Sequence, residues 1–409
     1  MTSVETRSRI ADISLAPLGE QRIAWVARHS PVLARLARER LSDGALGGRR
    51  VAVVVHLEAK TAYLATLLAA AGAEVVVAAS NAGTTQDSVC SALVQRGIEV
   101  HATHGASSDE FEADLLAAAD VGPEIIVDDG AELTARLLEH RPDRVEELVG
   151  VTEETTTGVA RLRALESAGK LTFPAIAAND AACKHLFDNR YGTGQTTLSA
   201  ILRLTNMSAA GKNVCVVGYG FVGRGLAQYA EGLGARVAVV EVDPVSALEA
   251  HIEGHRVARL EDALSDADIV ITATGRTGAL ARDVFAQLKD GAVLANAGHH
   301  DREIDVEGLE AEAEDTEMRP GVTRFAFGDG RRCYLLSEGR LVNIAGADGH
   351  PVEIMDLSFS VQALAAHHLA STELPHGVQE FPAELDREIA RTKLATLGVV
   401  LDETRGGGL

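Results

Sequence analysis

From Gly48 onward the chain alternates short apolar runs with stretches of helical period. The segments VAVVV (51–55), EVVVAAS (74–80), IEVHAT (98–103) and EIIVDD (124–129) read as strands, and helices are predicted from about Ala59 to Ala71 and after Gln86. These runs lack the polar alternation of a sheet with one wet face. They predict a parallel sheet covered by helices on both sides. Ligands of such sheets gather at the carboxyl ends of the strands, which here carry His56, Asn81 and Asp129. A second unit opens near Gly211 with NVCVVGYGFVGRGLAQYAEGLGARVAVVEVD and continues through strands in ADIVITATG (267–275) and AVLANAG (292–298). Beyond Gly349 the pattern is helical again, and ETRGGGL ends the chain as a loose tail. The expected fold class is α/β: two doubly wound parallel-sheet, Rossmann-like domains facing a central cleft, with hinges near 186–192 and 345–352 and a short C-terminal extension.

One motif gives the second unit a ligand. Gly218-Tyr219-Gly220-Phe221-Val222-Gly223 follows a strand and opens a helix, and Glu241 ends the next strand. That context turns a GxGxxG pattern into a dinucleotide fingerprint. Gly218 permits the tight turn, Gly220 lets backbone approach a pyrophosphate, and Gly223 lets helix and strand pack closely, with the helix N-terminus facing the anion. Glu241 accepts from ribose hydroxyls and repels a 2′-phosphate, so NAD is expected rather than NADP. The alternative is a glycine-rich turn with no ligand. The expected boundaries are 1–188 for a first part of a substrate-binding domain, 189–348 for the NAD domain, 349–385 for helices returning to the first, and 386–409 for the extension.

Composition narrows the class. With 46% hydrophobic and 24% charged residues the 409-residue chain is an ordinary globular protein, and 38 basic against 59 acidic residues leave a formal charge of −21. That charge argues against nucleic acid polymers and anionic membranes as partners. No apolar run reaches the ~18 residues of a membrane span, and the start, MTSVETRSRI, lacks a secretory apolar segment, so a cytoplasmic location is expected. Cys90, Cys183, Cys215 and Cys333 are far apart and form no CxxC pair, so neither a disulfide framework nor a metal site is expected. Only six of the 38 basic residues are lysine. A lysine at a site is there because it can release a proton, which arginine effectively cannot.

Several polar segments lie outside the fingerprint: His56-Leu57-Glu58-Ala59-Lys60-Thr61, Asn81 to Asp87, Asp128-Asp129-Gly130, Glu153 to Gly158, Lys184 with Asp188-Asn189, and Asn296 to His300. Each alone reads equally as a helix cap, a loop or a satisfied core group. Together they resemble the S-adenosylhomocysteine hydrolase family over nearly the whole chain. The residues that carry the likeness are Thr84-Thr85-Gln86-Asp87, DDG at 128–130, EETTTG at 153–158, Asn179-Asp180, Lys184, FDNRYG at 187–192, the GYGxVG loop, Gly298-His299, RLVN at 340–343 and Gly349-His350-Pro351.

The resemblance implies a chemistry. The ribose 3′-hydroxyl is oxidised by a tightly held NAD, the ketone acidifies the 4′ C–H, and the 5′ substituent leaves by β-elimination. Water then adds and the ketone is reduced again. Lys184 and Asp188 would manage the 3′-hydroxyl proton and the hydride step, Asn189 would orient the sugar and nicotinamide, and Glu154 would bind the 2′ and 3′ hydroxyls. Asp129 and His56 would transfer protons at the 4′ and 5′ positions, with His299 close by. A lysine of ordinary pKa about 10.4 has to be pulled down by its surroundings to act as a base near neutrality. The likeness further implies substrate contacts from Glu58, Lys60, Thr61, Asn81, Gln86, His300, His350, Met355 and Phe359. For NAD it implies contacts from Thr155, Thr156, Thr157, Asn189, Gly218, Gly220, Phe221, Val222, Gly223, Glu241, Thr274, Gly275, Asn296, His299, Asn343 and His350. A homotetramer, or a dimer, is the implied assembly.

Three departures from the family pattern bear on the substrate. Many members read HMT where this chain has HLE at 56–58, and an acid or amide where it has Lys60. Glu58 can accept from a ring N–H and Lys60 can donate to an exocyclic oxygen, which suits a 6-oxopurine; alternatively the two pair with each other beside an adenine. The usual His-Phe gate is His299-His300, and the bulky apolar residue before TQD is replaced by Ala82-Gly83. The end of the chain lacks the Lys and Tyr that many members send into a neighbour's NAD site. A purine nucleoside thioether is the expected substrate. The other readings are an NAD-dependent dehydratase expelling hydroxide from a hydroxymethyl-bearing nucleoside, with His300 as the acid, and a silent NAD- and nucleoside-binding regulator.

Overall fold

The structure is a computed structural model, described for residues 7–298 and 301–402. Its strands are β1 (Arg50–Val55), β2 (Glu74–Ala79), β3 (Glu99–His101), β4 (Ile125–Asp128), β5 (Gly150–Glu153), β6 (Pro174–Ala177), β7 (Asn213–Val217), β8 (Arg236–Val240), β9 (Arg256–Val257), β10 (Ile269–Thr272), β11 (Ala292–Asn296), β12 (Ala313–Arg319), β13 (Val322–Phe327), β14 (Arg332–Leu336) and β15 (Gly377–Glu380). Two compact units emerge: Met1–Lys184 with Met355–Leu409, and His185–Ile354.

In the first unit the sheet order is β15-β6-β5-β4-β1-β2-β3, and every pairing is parallel. Apart from Arg50 at the start of β1 and the closing Asp128 of β4, the inner strands β1 and β4 consist of Val, Ile and Ala, and all of their residues but Arg50 are buried. That composition suits a strand covered by helices on both sides. Strand order reverses between β1 and β4, so this gap is the topological switch point at which such sheets bind ligands. The long helix Val352–Ser371 is apolar around most of its circumference, with thirteen buried residues, as expected of a helix inside a fold. Helix Ala383–Thr396 joins the same unit: Asp386 caps Ala182 and Cys183 with bonds of 2.7 and 2.9 Å.

In the second unit the order is β12-β13-β14-β11-β10-β7-β8-β9. Pairings from β14 to β9 are parallel, and the switch point lies between β7 and β10. The expectation of an all-parallel sheet is corrected at one edge, where β12/β13 and β13/β14 are antiparallel. The link from β12 to β13 is only Pro320-Gly321, with Gly321 at φ +74. So short a connection permits only an antiparallel partner, since a parallel one requires a crossover of a dozen residues.

Candidate active site

Within the first unit, both sides of the switch point present chemistry. His56 follows β1 directly, and its Nδ1 lies 2.7 Å from Thr84 Oγ1. Thr84 gives its own hydroxyl proton to Asn81 O at 3.1 Å, so it accepts from His56. This network places a proton on His56 Nδ1. Nε2 lies 3.7 Å from Asp129 Oδ2, an oxygen that also accepts from Ser80 Oγ at 2.9 Å. Thr61 donates to the His56 carbonyl, Asn81 Oδ1 caps Gly83, and Gln86 Oε1 accepts from Arg22 at 3.0 Å. Glu58 caps the helix Ala59–Ala70 and holds Lys60 Nζ at 3.0 Å; both side chains are buried. The Glu58–Lys60 pair anticipated as one of two readings is therefore formed.

Two adjacent glutamates at the end of β5 point in opposite directions because strand side chains alternate. Glu153 accepts from the amides of Gly130, Ala131 and Thr155 and from the Thr155 hydroxyl, and so fixes the loop that carries Asp129. Burial drives its pKa well above the ordinary carboxylate value, helped by the neighbouring Asp128 and Asp129. Asp128 is likewise raised by burial while it caps Leu133 and Thr134. Glu154 points the other way. Its Oε1 lies 3.2 Å from Lys184 Nζ and its Oε2 accepts from Gln362 Nε2 at 2.6 Å. Lys184 is 4% exposed and Glu154 5%, so this ion pair is held in a site that excludes most water. Met355 and Phe359 are buried on the same helix at the i, i+4, i+7 spacing that ends at Gln362. Of the threonine triplet, Thr155 caps the following helix through Gly158 and Thr156 donates to Asn179 Oδ1.

In the second unit, His185–Gly192 winds as a π-helix, a wide turn that often marks functional segments. It places Asp188 with Oδ1 2.5 Å from His350 Nδ1, while His350 Nε2 lies 3.2 Å from Thr193 Oγ1. Asn189 follows on the same turn. At the β7 end, Gly218 has φ +100, and a Cβ on Gly223 would stand 2.0 Å from Gly218 O. Gly220 has open space where its Cβ would be. The helix Phe221–Gly232 starts there with no side-chain cap. Phe221 stacks on His185 at 4.7 Å between centroids. Glu241 accepts from the amides of Tyr219, Val242 and Asp243, two on Oε1 and one on Oε2, so Oε2 has an acceptor direction to spare.

Family models match the chain in two stretches: S-adenosyl-L-homocysteine hydrolase over residues 7–146, and the NAD binding domain of the same family over residues 189–349. The adenosylhomocysteinase of Thermococcus kodakarensis is 50% identical over 397 residues, covering 96% of this chain and 94% of that protein. The chain belongs to the S-adenosyl-L-homocysteine hydrolase family. Other similar members are the adenosylhomocysteinase of Thermotoga maritima, 50% identical with 94% and 96% covered, and the S-inosyl-L-homocysteine hydrolase of Methanopyrus kandleri, 47% identical with 96% and 94% covered. The protein is thus an NAD-dependent hydrolase.

The second unit fits that cofactor. The space beside Gly220, the uncapped helix start and Glu241 suit a pyrophosphate and a ribose. Asn343 is fully buried and donates to Thr196, while its Oδ1 has no donor among the described residues. A buried amide oxygen left this way suits the carboxamide of a nicotinamide. Thr274 and Gly275 follow β10, and Asn296 closes β11 with Oδ1 accepting from Thr272 and Gly298.

Glu303, which the sequence reading passed over, is fully buried. It accepts from Thr274 N, Thr274 Oγ1 and Gly275 N at 3.0, 3.0 and 2.7 Å. Burial raises its pKa against those bonds. Gln362 was also passed over; a polar residue inside an apolar helix was the available signal for it. His299 and His300 lie outside the described residues, and nothing observed favours the dehydratase or the regulator. Among the described residues all four cysteines are free and buried, no cluster of metal-ligating side chains occurs, and no helix is long and apolar enough to cross a membrane.

Proposed function

We propose that the first unit binds a purine nucleoside 5′-thioether and cleaves it into nucleoside and homocysteine, with NAD held by the second unit. The observation that carries this reading is the buried Lys184–Glu154 pair, in the same unit as His56 and Asp129 at the switch point. When bound, NAD supplies a reversible hydride acceptor for the ribose 3′ carbon. Glu154 then accepts from the ribose hydroxyls, and Lys184 takes the 3′-hydroxyl proton in its neutral form. Asp129 removes the 4′ proton that the ketone has acidified. His56, whose Nε2 faces Asp129, moves a proton to or from the 5′ position. Asp188, held by His350, and Asn189 belong to the second unit, which carries the NAD.

Glu58 and Lys60 read the six-membered edge of the purine. A carboxylate beside an ammonium matches either the N1–H and O6 of hypoxanthine or the amino group and N1 of adenine. The free, buried cysteines support a reducing, cytoplasmic location. The helix Pro244–Ile252 turns Val245, Leu248 and Ile252 outward, 72%, 57% and 76% exposed. An apolar face of that kind supports assembly with further copies, a homotetramer, which light scattering on the purified protein measures. The function itself is tested by free-thiol release from S-adenosyl- and S-inosylhomocysteine. The proposal expects thiol from at least one of them; none from either overturns it.

A further inference from the structure

We infer that Gln362 is a positioning residue for the reaction, setting both the orientation and the basicity of Glu154 and through it the proton affinity of Lys184. The inference rests on the function proposed above.

The geometry is a relay across two elements. Thr152 Oγ1 donates to Gln362 Oε1 at 2.7 Å, and Gln362 Nε2 donates to Glu154 Oε2 at 2.6 Å. Glu154 Oε1 faces Lys184 Nζ at 3.2 Å. Thr152 and Glu154 share one side of the strand by alternation, and Gln362 comes from the helix Val352–Ser371. Thr152 and Gln362 are fully buried, so no water substitutes for either bond.

The order of donors is forced by charge. An ionised carboxylate only accepts, so the amide must turn its NH2 toward Glu154 and its oxygen toward the threonine hydroxyl. Gln362 thereby takes up Oε2 and fixes the carboxylate's rotation, which presents Oε1 to the lysine. It also draws charge onto Oε2. Remove the amide and the charge shifts toward Oε1, the ammonium form of Lys184 is favoured, and the neutral base forms only at higher pH.

The test compares the parent with Gln362→Met and Thr152→Val in thiol release across pH, with thermal midpoints measured in parallel. The expected result is a fall in kcat of about tenfold to hundredfold in Gln362→Met, the worth of one charge-assisted hydrogen bond. The acid limb of its profile should move up by roughly half to one pH unit. Thr152→Val should give a smaller shift of the same sign, because the amide is still present but less firmly oriented. Should Gln362→Met not fold, Thr152→Val decides. An acid limb unmoved in the folded variants, whether kcat holds or falls in step with the thermal midpoint, overturns the inference. Failure of the parent to release thiol strikes the proposed function instead.

Discussion

Replacing Gly298 by alanine tests how the NAD unit holds its loops. Gly298 is not in the left-handed region, so alanine costs nothing in backbone conformation. Its Cβ, however, would stand 1.5 Å from Glu303 Oε1, far inside contact distance. Glu303 cannot yield without cost, because its carboxylate satisfies Thr274 N, Thr274 Oγ1 and Gly275 N. Glu303 is buried, but Thr274 is half-buried and Gly275 exposed, so water takes up part of the loss and Gly298→Ala should destabilise the unit by roughly 1–3 kcal/mol. Glu303→Ala strands the same donors but removes the clash. The double variant Gly298→Ala/Glu303→Ala should therefore be about as stable as Glu303→Ala alone, a coupling as large as the Gly298→Ala cost itself, roughly 1–3 kcal/mol. Urea unfolding and NAD retained after gel filtration read both effects. A Gly298→Ala protein within about 0.5 kcal/mol of the parent, or a double variant as weak as the sum of the singles, would refute the reasoning.

Gly220→Ala should leave the unliganded fold unchanged, since nothing lies within 4 Å of the added carbon, yet weaken NAD binding tenfold or more by filling the cradle, a dissociation measurable by calorimetry. Lys184→Met should keep its NAD and lose roughly 10²–10⁴ in thiol release; full activity would remove lysine from the role of base. Arg96 grips Glu20 through two bonds of 2.8 and 2.6 Å and so holds its pKa below the ordinary value. A lowered acid stabilises the fold above its unfolded pKa of about 4.3 and loses that contribution as the pH falls through the folded value. Glu20→Gln should thus be less stable than the parent at pH 7 by no more than about 1 kcal/mol, as suits a partly exposed pair, and the gap should close in acid; a gap independent of pH would contradict the assignment.

Legibility in the sequence followed burial. The runs over β1, β2, β4, β7, β10 and β11 are continuous apolar segments; those over β1, β2, β4 and β11 read within a residue or two of their observed ends, and the run over β10 extends three residues past its end. β5 is Gly-Val-Thr-Glu and runs into a threonine-rich loop, so its strand signal is masked by the residues that serve the site. β12 is Ala-Glu-Asp-Thr-Glu-Met-Arg, exposed along nearly its whole length; an edge strand protected by charge has no apolar pattern to find. A single motif placed the GYGFVG turn, whereas Lys184 and Glu154 were placed only by the family resemblance of several segments together. The groups that hold them, Gln362 for Glu154 and Glu303 for Thr274-Gly275, lie 208 and 28–29 residues away in sequence from what they hold. A polar residue among the buried positions of a largely apolar helix announces burial, but its partner appears only when the strand is packed against it.

In the proposed reaction cleavage proceeds through the 4′ carbon, with Lys184 and Asp129 as the groups that move protons. Turnover of S-adenosyl- or S-inosylhomocysteine in deuterium oxide, followed by mass and proton spectra of the recovered nucleoside, tests it most directly. Cleavage by this route gives homocysteine release together with deuterium at C4′. Thiol released from a nucleoside that keeps its 4′ proton at every turnover would contradict it.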